Sequence, residues 1–204
     1  MDHNLYIVFS ATPYRIGKMI RRVTKECYNH VSISLDEDFS QMYSFARRYY
    51  CAPLYGGFVK ESPARYYLGT QASQIQVCKL TVTQAQYDAI SQQLSSMHRD
   101  AHTYLYNHLS ALTAVFHIPW KLHKAYTCVE FCVEVLYKLG LPVNRKQFYS
   151  VDALRMLLQE YVVYTGPIKQ TDTDPAFFKD LSPWQILKHS FKALVGLIPR
   201  MKRT

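Results

Sequence analysis

Cys128 and His30 are the two residues whose types and surroundings could do chemistry. Cys128 lies in A-Y-T-C-V-E-F-C-V-E-V-L-Y-K-L-G-L, residues 125–141. Thr127 followed three residues later by Glu130 is a capping box, so a helix starts here and Cys128 takes its first position. A thiol at that place faces unpaired backbone N–H groups and the positive end of the helix dipole. Both favour a thiolate and can hold a developing oxyanion. A cysteine without a partner is more often a small buried hydrophobe, so the chemistry needs a base. His30 opens the alternating run N-H-V-S-I-S-L. There Val31, Ile33 and Leu35 point one way while His30, Ser32 and Ser34 point the other, which puts an imidazole at the mouth of a strand.

The elements that must position this pair can be read on either side. Tyr126 before the cap and Phe131 one turn in are placed to clasp as a hydrophobic staple. Cys132, Val135, Leu136 and Leu139 continue a buried stripe, and Gly140 before Leu141-Pro142 supplies the stop. Within this helix Thr127, Glu130 and Tyr126 support the cap and the oxyanion site, while Cys132 is packing. For His30 the sequence predicts a β-hairpin: residues 29–35, a polar turn at 36–38, and residues 41–47. Pairing Val31, Ile33 and Leu35 with Phe45, Tyr43 and Gln41 sets Ser44 beside the His30 face; a shift of one residue substitutes Tyr43.

Elsewhere the patterning predicts a strand at 5–9 and a helix at 14–25 behind Thr12-Pro13. Ile16, Met19, Ile20 and Val23 would form its buried stripe, with Arg15, Lys18, Arg21, Arg22 and Lys25 on the rest. Residues 49–67, with Pro53, Gly56-Gly57 and Pro63, read as an irregular aromatic excursion. A strand at 75–82 leads to a helix capped by Thr83, running to about residue 97. Residues 98–123 hold five histidines and suggest a lid or a short apolar helix at 109–116. His98 and His102 have the spacing of a metal pair but lack the glutamate a zincin needs, so no metal or other cofactor is expected. Ser150 caps a helix at 151–159, and residues 161–165 form a further strand. Ser182-Pro183 opens a last helix with Trp184, Leu187, Phe191, Leu194, Val195 and Ile198 on one face, a pattern that usually packs on its own domain; interfacial membrane binding is the alternative.

The 204 residues, half of them apolar, suffice for one domain spanning 1–204, with a basic amphipathic helix and tail at 182–204. Five cysteines without an export signal point to reduced thiols and a cytoplasmic setting. The net charge of +9 permits peripheral contact with an anionic membrane. The basic residues gather at 15–25 and 188–203 without the aromatic interleaving that would favour nucleic acid.

Tyr28-Asn29-His30-Val31-Ser32-Ile33 followed much later by Tyr126-Thr127-Cys128-Val129-Glu130-Phe131 resembles the circularly permuted branch of the NlpC-type papain-like cysteine hydrolases. That branch includes YiiX-like proteins and lecithin:retinol acyltransferase. Its permuted order requires His before Cys, as here, and the resemblance spans roughly residues 5–165. It implies an α+β, papain-like fold: a small antiparallel sheet with the nucleophile helix packed on it and further helices around. It also implies a thiol hydrolase or acyltransferase in which Cys128 attacks an amide or ester, His30 is the base, and a third polar residue on the strand after the His orients the imidazole. Ser44, or Tyr43 in the shifted register, would fill that third place, although relatives often carry His, Asn or Gln there. The implied substrates are cell-wall peptides or lipid acyl groups. The rival reading is a non-catalytic module that holds a lipid or an anionic partner on the same fold.

Overall fold

The computed structural model describes residues 2–169 and 173–201. Its centre is a six-stranded sheet in the order β10-β7-β1-β2-β3-β4, every neighbouring pair antiparallel. The strands are β1 (Asp2–Ala11), β2 (His30–Ser34), β3 (Met42–Arg47), β4 (Gly56–Glu61), β7 (Gln74–Thr83) and β10 (Val162–Pro167). Two-residue strands form two small extra ladders: β5 (Tyr67–Leu68) with β6 (Gln71–Ala72), and β8 (Leu105–Tyr106) with β9 (Ala125–Tyr126). Among the described residues six α-helices surround them: α1 (Arg15–Thr24), α2 (Gln84–Arg99), α3 (His108–Thr113), α4 (Cys128–Lys138), α5 (Val151–Leu157) and α6 (Pro183–Val195). The fold is therefore α+β. Among the described residues no helix is long and apolar enough to cross a membrane.

The first strand in sequence lies in the middle of the sheet. β1 pairs along its whole length with β7 and through Tyr6 to Ser10 with β2. Leu5, Ile7 and Phe9 of β1, Val31 and Ile33 of β2 and Phe45 of β3 project into the main core. Ile90 and Leu94 of α2 and Phe131, Cys132, Val135 and Leu136 of α4 close over them. On the reverse face a smaller cluster gathers Val8, Met42, Tyr66, Ile75, Val77 and Ile168. Period-2 alternation in the strands thus feeds two apolar layers, and α4 lies on the larger.

The expected hairpin is present in the expected register. Ile33 pairs with Tyr43, and the Leu35 amide donates to the Gln41 carbonyl at 3.2 Å. The segment expected to be irregular contains β4. Its opening Gly56-Gly57 looks like a turn in sequence, but here glycine permits close approach. A Cβ on Gly56 would lie 2.8 Å from Tyr106 Cβ, and one on Gly57 would lie 2.3 Å from the Tyr104 carbonyl oxygen.

Two helices present the opposite face to the one expected. In α1 the stripe expected to be buried is exposed, Met19 and Val23 by 60% and 62%, with Ile16 and Ile20 also open. The inward side is taken by Gly17 and Arg21 instead. Thr12 and Asn29 lock together under the helix: the Thr12 amide donates to Asn29 Oδ1 at 3.0 Å, and Asn29 Nδ2 donates to Thr12 Oγ1 at 2.8 Å. A Cβ at position 17 would stand 2.1 Å from that hydroxyl. Arg21 reaches in to donate to the Thr12 carbonyl at 2.9 Å and to Asn29 Oδ1. A polar floor therefore selects the polar side of the helix. In α6, Ser190 and Ala193 are buried, and Leu197 beyond the helix packs with Leu122 and Ala125. Trp184, Leu187, Phe191, Leu194, Val195 and Ile198, expected to pack, are all exposed. Lys202 and Arg203 lie outside the described residues.

Candidate active site

The Cys128 helix starts as its capping box dictates. Thr127 Oγ1 accepts from the Glu130 amide at 3.1 Å, and Glu130 Oε2 accepts from the Thr127 amide at 2.8 Å. Glu130 is held further by Ser110 Oγ, which donates at 2.9 Å, and by Asn107 Nδ2 at 3.2 Å. These bonds occupy Glu130 as a structural anchor, and they tie the segment around α3, the expected lid, to the start of α4. Tyr126 and Phe131 both pack on Phe45, with ring centroids 5.2 and 5.4 Å away. At the far end the Leu141 amide closes back on the Leu136 carbonyl at 3.0 Å, across Gly140 at φ +84°. With the Glu130 amide capped and the Phe131 amide bonded to the Thr127 carbonyl, Cys128 and Val129 carry the first-turn amides that the helix itself leaves without a partner.

Cys128 is buried, 5% exposed, and lies within electrostatic reach of the His30 imidazole. His30, the first residue of β2, stands at the margin of the sheet. There its imidazole comes within electrostatic reach of Cys128 at the tip of α4 and, through Nε2, engages Glu61 Oε1 at 3.0 Å. Glu61, the last residue of β4, is the third member of the constellation that the sequence did not disclose.

The expectation that Ser44 or Tyr43 orients the imidazole is corrected. Ser44 donates its hydroxyl to Glu61 Oε1 and touches the base only through that carboxylate. Tyr43 points into the opposite, main core, stacked on Phe58 at 5.8 Å. The register places Ser44 as expected; what it misses is that a longer side chain from the next strand reaches past Ser44 to His30. Two further hydroxyls complete the carboxylate's shell. Tyr66 donates to Oε2, and Ser32 Oγ donates to Oε2 at 3.3 Å while lying 3.2 Å from His30 Nε2.

No family model, curated protein or solved structure matches this chain. Its chemistry rests on the geometry alone.

Burial by itself would push His30 down and Glu61 up, because each would lose hydration of its charge. Each charge answers the other. The Glu61 carboxylate, with Cys128 nearby, outweighs burial and raises His30 well above the ordinary histidine value. The imidazolium, helped by Arg65 and the Ser44 hydroxyl, likewise outweighs burial and holds Glu61 below the ordinary carboxylate range. His30 therefore favours the protonated form. Cys132 and Cys78 contrast with this: burial raises the first well above its ordinary value and pushes the second up to about 11. At Cys78 burial outweighs the lowering by Gln76 and Arg155, and at Cys132 the neighbouring thiols add to it.

Tyr106, from β8, is a second residue the sequence did not single out. It lies close enough to Cys128 and Glu130 for their charges to add to the effect of burial, and together these keep its phenol protonated. Glu61 left a trace in the sequence, as the one carboxylate in G-G-F-V-K-E, but the strand that carries it reads as a turn. Tyr106 left none, since its place depends on β8 pairing with β9, the strand that leads into Thr127.

Proposed function

We propose that this chain is a thiol hydrolase or acyltransferase of the permuted papain-like kind, acting through Cys128, His30 and Glu61. The observation that carries the reading is one arrangement: a cysteine at a helix N-terminus, within electrostatic reach of a histidine that is itself ion-paired to a buried carboxylate. His30 takes the Sγ proton, and the sulfur attacks the carbonyl carbon of an amide or ester. The carbonyl oxygen gains the displaced electron pair, and the Cys128 amide donates to it. Collapse of the tetrahedral intermediate breaks the C–N or C–O bond, and the leaving amine or alcohol departs with the proton held by His30. Water, or an acceptor alcohol or amine, then gives a proton to His30 as it attacks the thioester, and Cys128 is released as a thiol. Glu61 orients the ring and stabilises the imidazolium throughout. Cell-wall peptides and lipid acyl groups are the substrate classes suggested by the resemblance.

The test is site-resolved alkylation followed by turnover on an amide and ester panel. Cys128 alkylates selectively over Cys78 and Cys132, and His30→Ala slows it. Cys128→Ala remains folded and abolishes turnover. Turnover retained in folded Cys128→Ala would sink the mechanism.

A further inference from the structure

We propose that the outward faces of α1 and α6 dock the protein on an anionic lipid bilayer, with the rim of the Cys128–His30 site turned toward the membrane. The inference concerns a surface, and it stands whether or not the site turns over a substrate. α1 is built inside out. Its inward side is Gly17 and Arg21 on the Thr12–Asn29 floor, and its outward side is Ile16, Met19, Ile20 and Val23. Arg15, Lys18, Arg22 and Lys25 flank that apolar stripe, and residues 15–25 contain no acidic side chain. α6 repeats the arrangement. Trp184, Leu187, Phe191, Val195 and Ile198 recur at three- and four-residue steps along one outward ridge, opposite the buried Ser190, Ala193 and Leu197. Lys188 and Lys192 line one side of the ridge.

Packed rings lie between the start of α1 and α6. Tyr14, the residue just before α1, lies 5.2 Å from Tyr50, and Tyr50 lies 5.9 Å from Phe178, in the segment that leads to α6. Tyr55 stacks at 4.6 Å on His189 of α6. The link to the base is equally short: Arg21 of α1 donates to the side chain of Asn29, the residue before His30. The far end of β2 continues instead into the acidic turn Asp36-Glu37-Asp38, while Glu26 follows α1 and Asp174 and Asp180 lie in the segment before α6.

This chemistry selects the occupant. An exposed apolar stripe with Lys and Arg at its edges, and a tryptophan on the second helix, suits the boundary between anionic headgroups and acyl chains. Nucleic acid would leave the apolar side chains unserved. A second copy seated on the α1 stripe would bring like charges together around it.

The experiment is co-sedimentation of the full chain with vesicles of phosphatidylcholine containing about a third phosphatidylglycerol, and with phosphatidylcholine alone. The protein sediments with the anionic vesicles, and added salt weakens binding. In the Trp120→Phe background, Trp184 fluorescence shifts to the blue on binding. Met19→Ser/Val23→Ser and Trp184→Ala/Phe191→Ser, both surface changes checked for folding by circular dichroism, each weaken binding by about tenfold or more. Cys128→Ala binds as the parent does. Absence of binding to anionic vesicles, equal binding to phosphatidylcholine alone, or undiminished binding in both double variants would overturn the proposal. So would a dimer in solution that both double variants convert to monomer, since the stripes would then be covered by a second copy.

Discussion

Glu61→Gln keeps the shape of the side chain and removes its charge. In the parent, Oε1 receives His30 Nε2 and Ser44 Oγ, and Oε2 receives Tyr66 and Ser32. A carboxamide can accept at one of these positions only. Its NH2 must face two donors at the other, so a hydrogen bond is lost and a buried donor is left unserved. The pair itself is well shielded, with His30 and Glu61 side chains 12% and 2% exposed. Breaking a buried pair by removing one partner costs about 3–5 kcal/mol. If about 3 kcal/mol of that is support for the imidazolium in the transition state, the rate at Cys128 falls by about 10²-fold. The assay is the iodoacetamide rate at the Cys128 peptide, read by mass spectrometry, with Cys78 and Cys132 as internal controls and the urea midpoint as the fold control. A folded Glu61→Gln protein whose Cys128 reacts within twofold of the parent would refute the role given to Glu61.

The same pair makes stability depend on pH in two directions. Glu61 is depressed below its ordinary carboxylate value, so its contribution is present above that value and is lost as pH falls through the lowered folded value; Glu61→Gln flattens the acid limb of a urea midpoint against pH profile. His30 is raised, so its contribution is complete below about pH 6.5 and is lost as pH climbs through the raised folded value; His30→Ala flattens the alkaline limb. Thr127→Ala removes one half of the capping box and costs about 1 kcal/mol of stability, seen as a lower urea midpoint, and it slows Cys128 alkylation because the first turn of α4 frays.

What the sequence disclosed was local. The capping residues Thr83, Thr127, Ser150 and Ser182 all start helices where they were expected, because each signal lies within three residues of the helix it begins. The Ile33–Tyr43 pairing was legible for a similar reason, a short turn between alternating runs. Glu61 was not. It lies two strands from His30, its strand opens with Gly56-Gly57, and the need for those glycines comes from Tyr104 and Tyr106, far along the chain. The α1 and α6 stripes show a different limit. Periodicity tells which residues share a helix face, but the partner surface decides which face turns inward, and under α1 that surface is the hydrogen-bonded Thr12 and Asn29.

The central position of β1 has a consequence for dissecting the molecule. This strand holds none of the reactive groups, yet it stands between β2–β4, which carry His30 and Glu61, and β7 with β10. Residues 2–11 are thus the natural cut for a split protein: a short peptide supplied in trans would rejoin two half-sheets, and Cys128 reactivity would report the reunion.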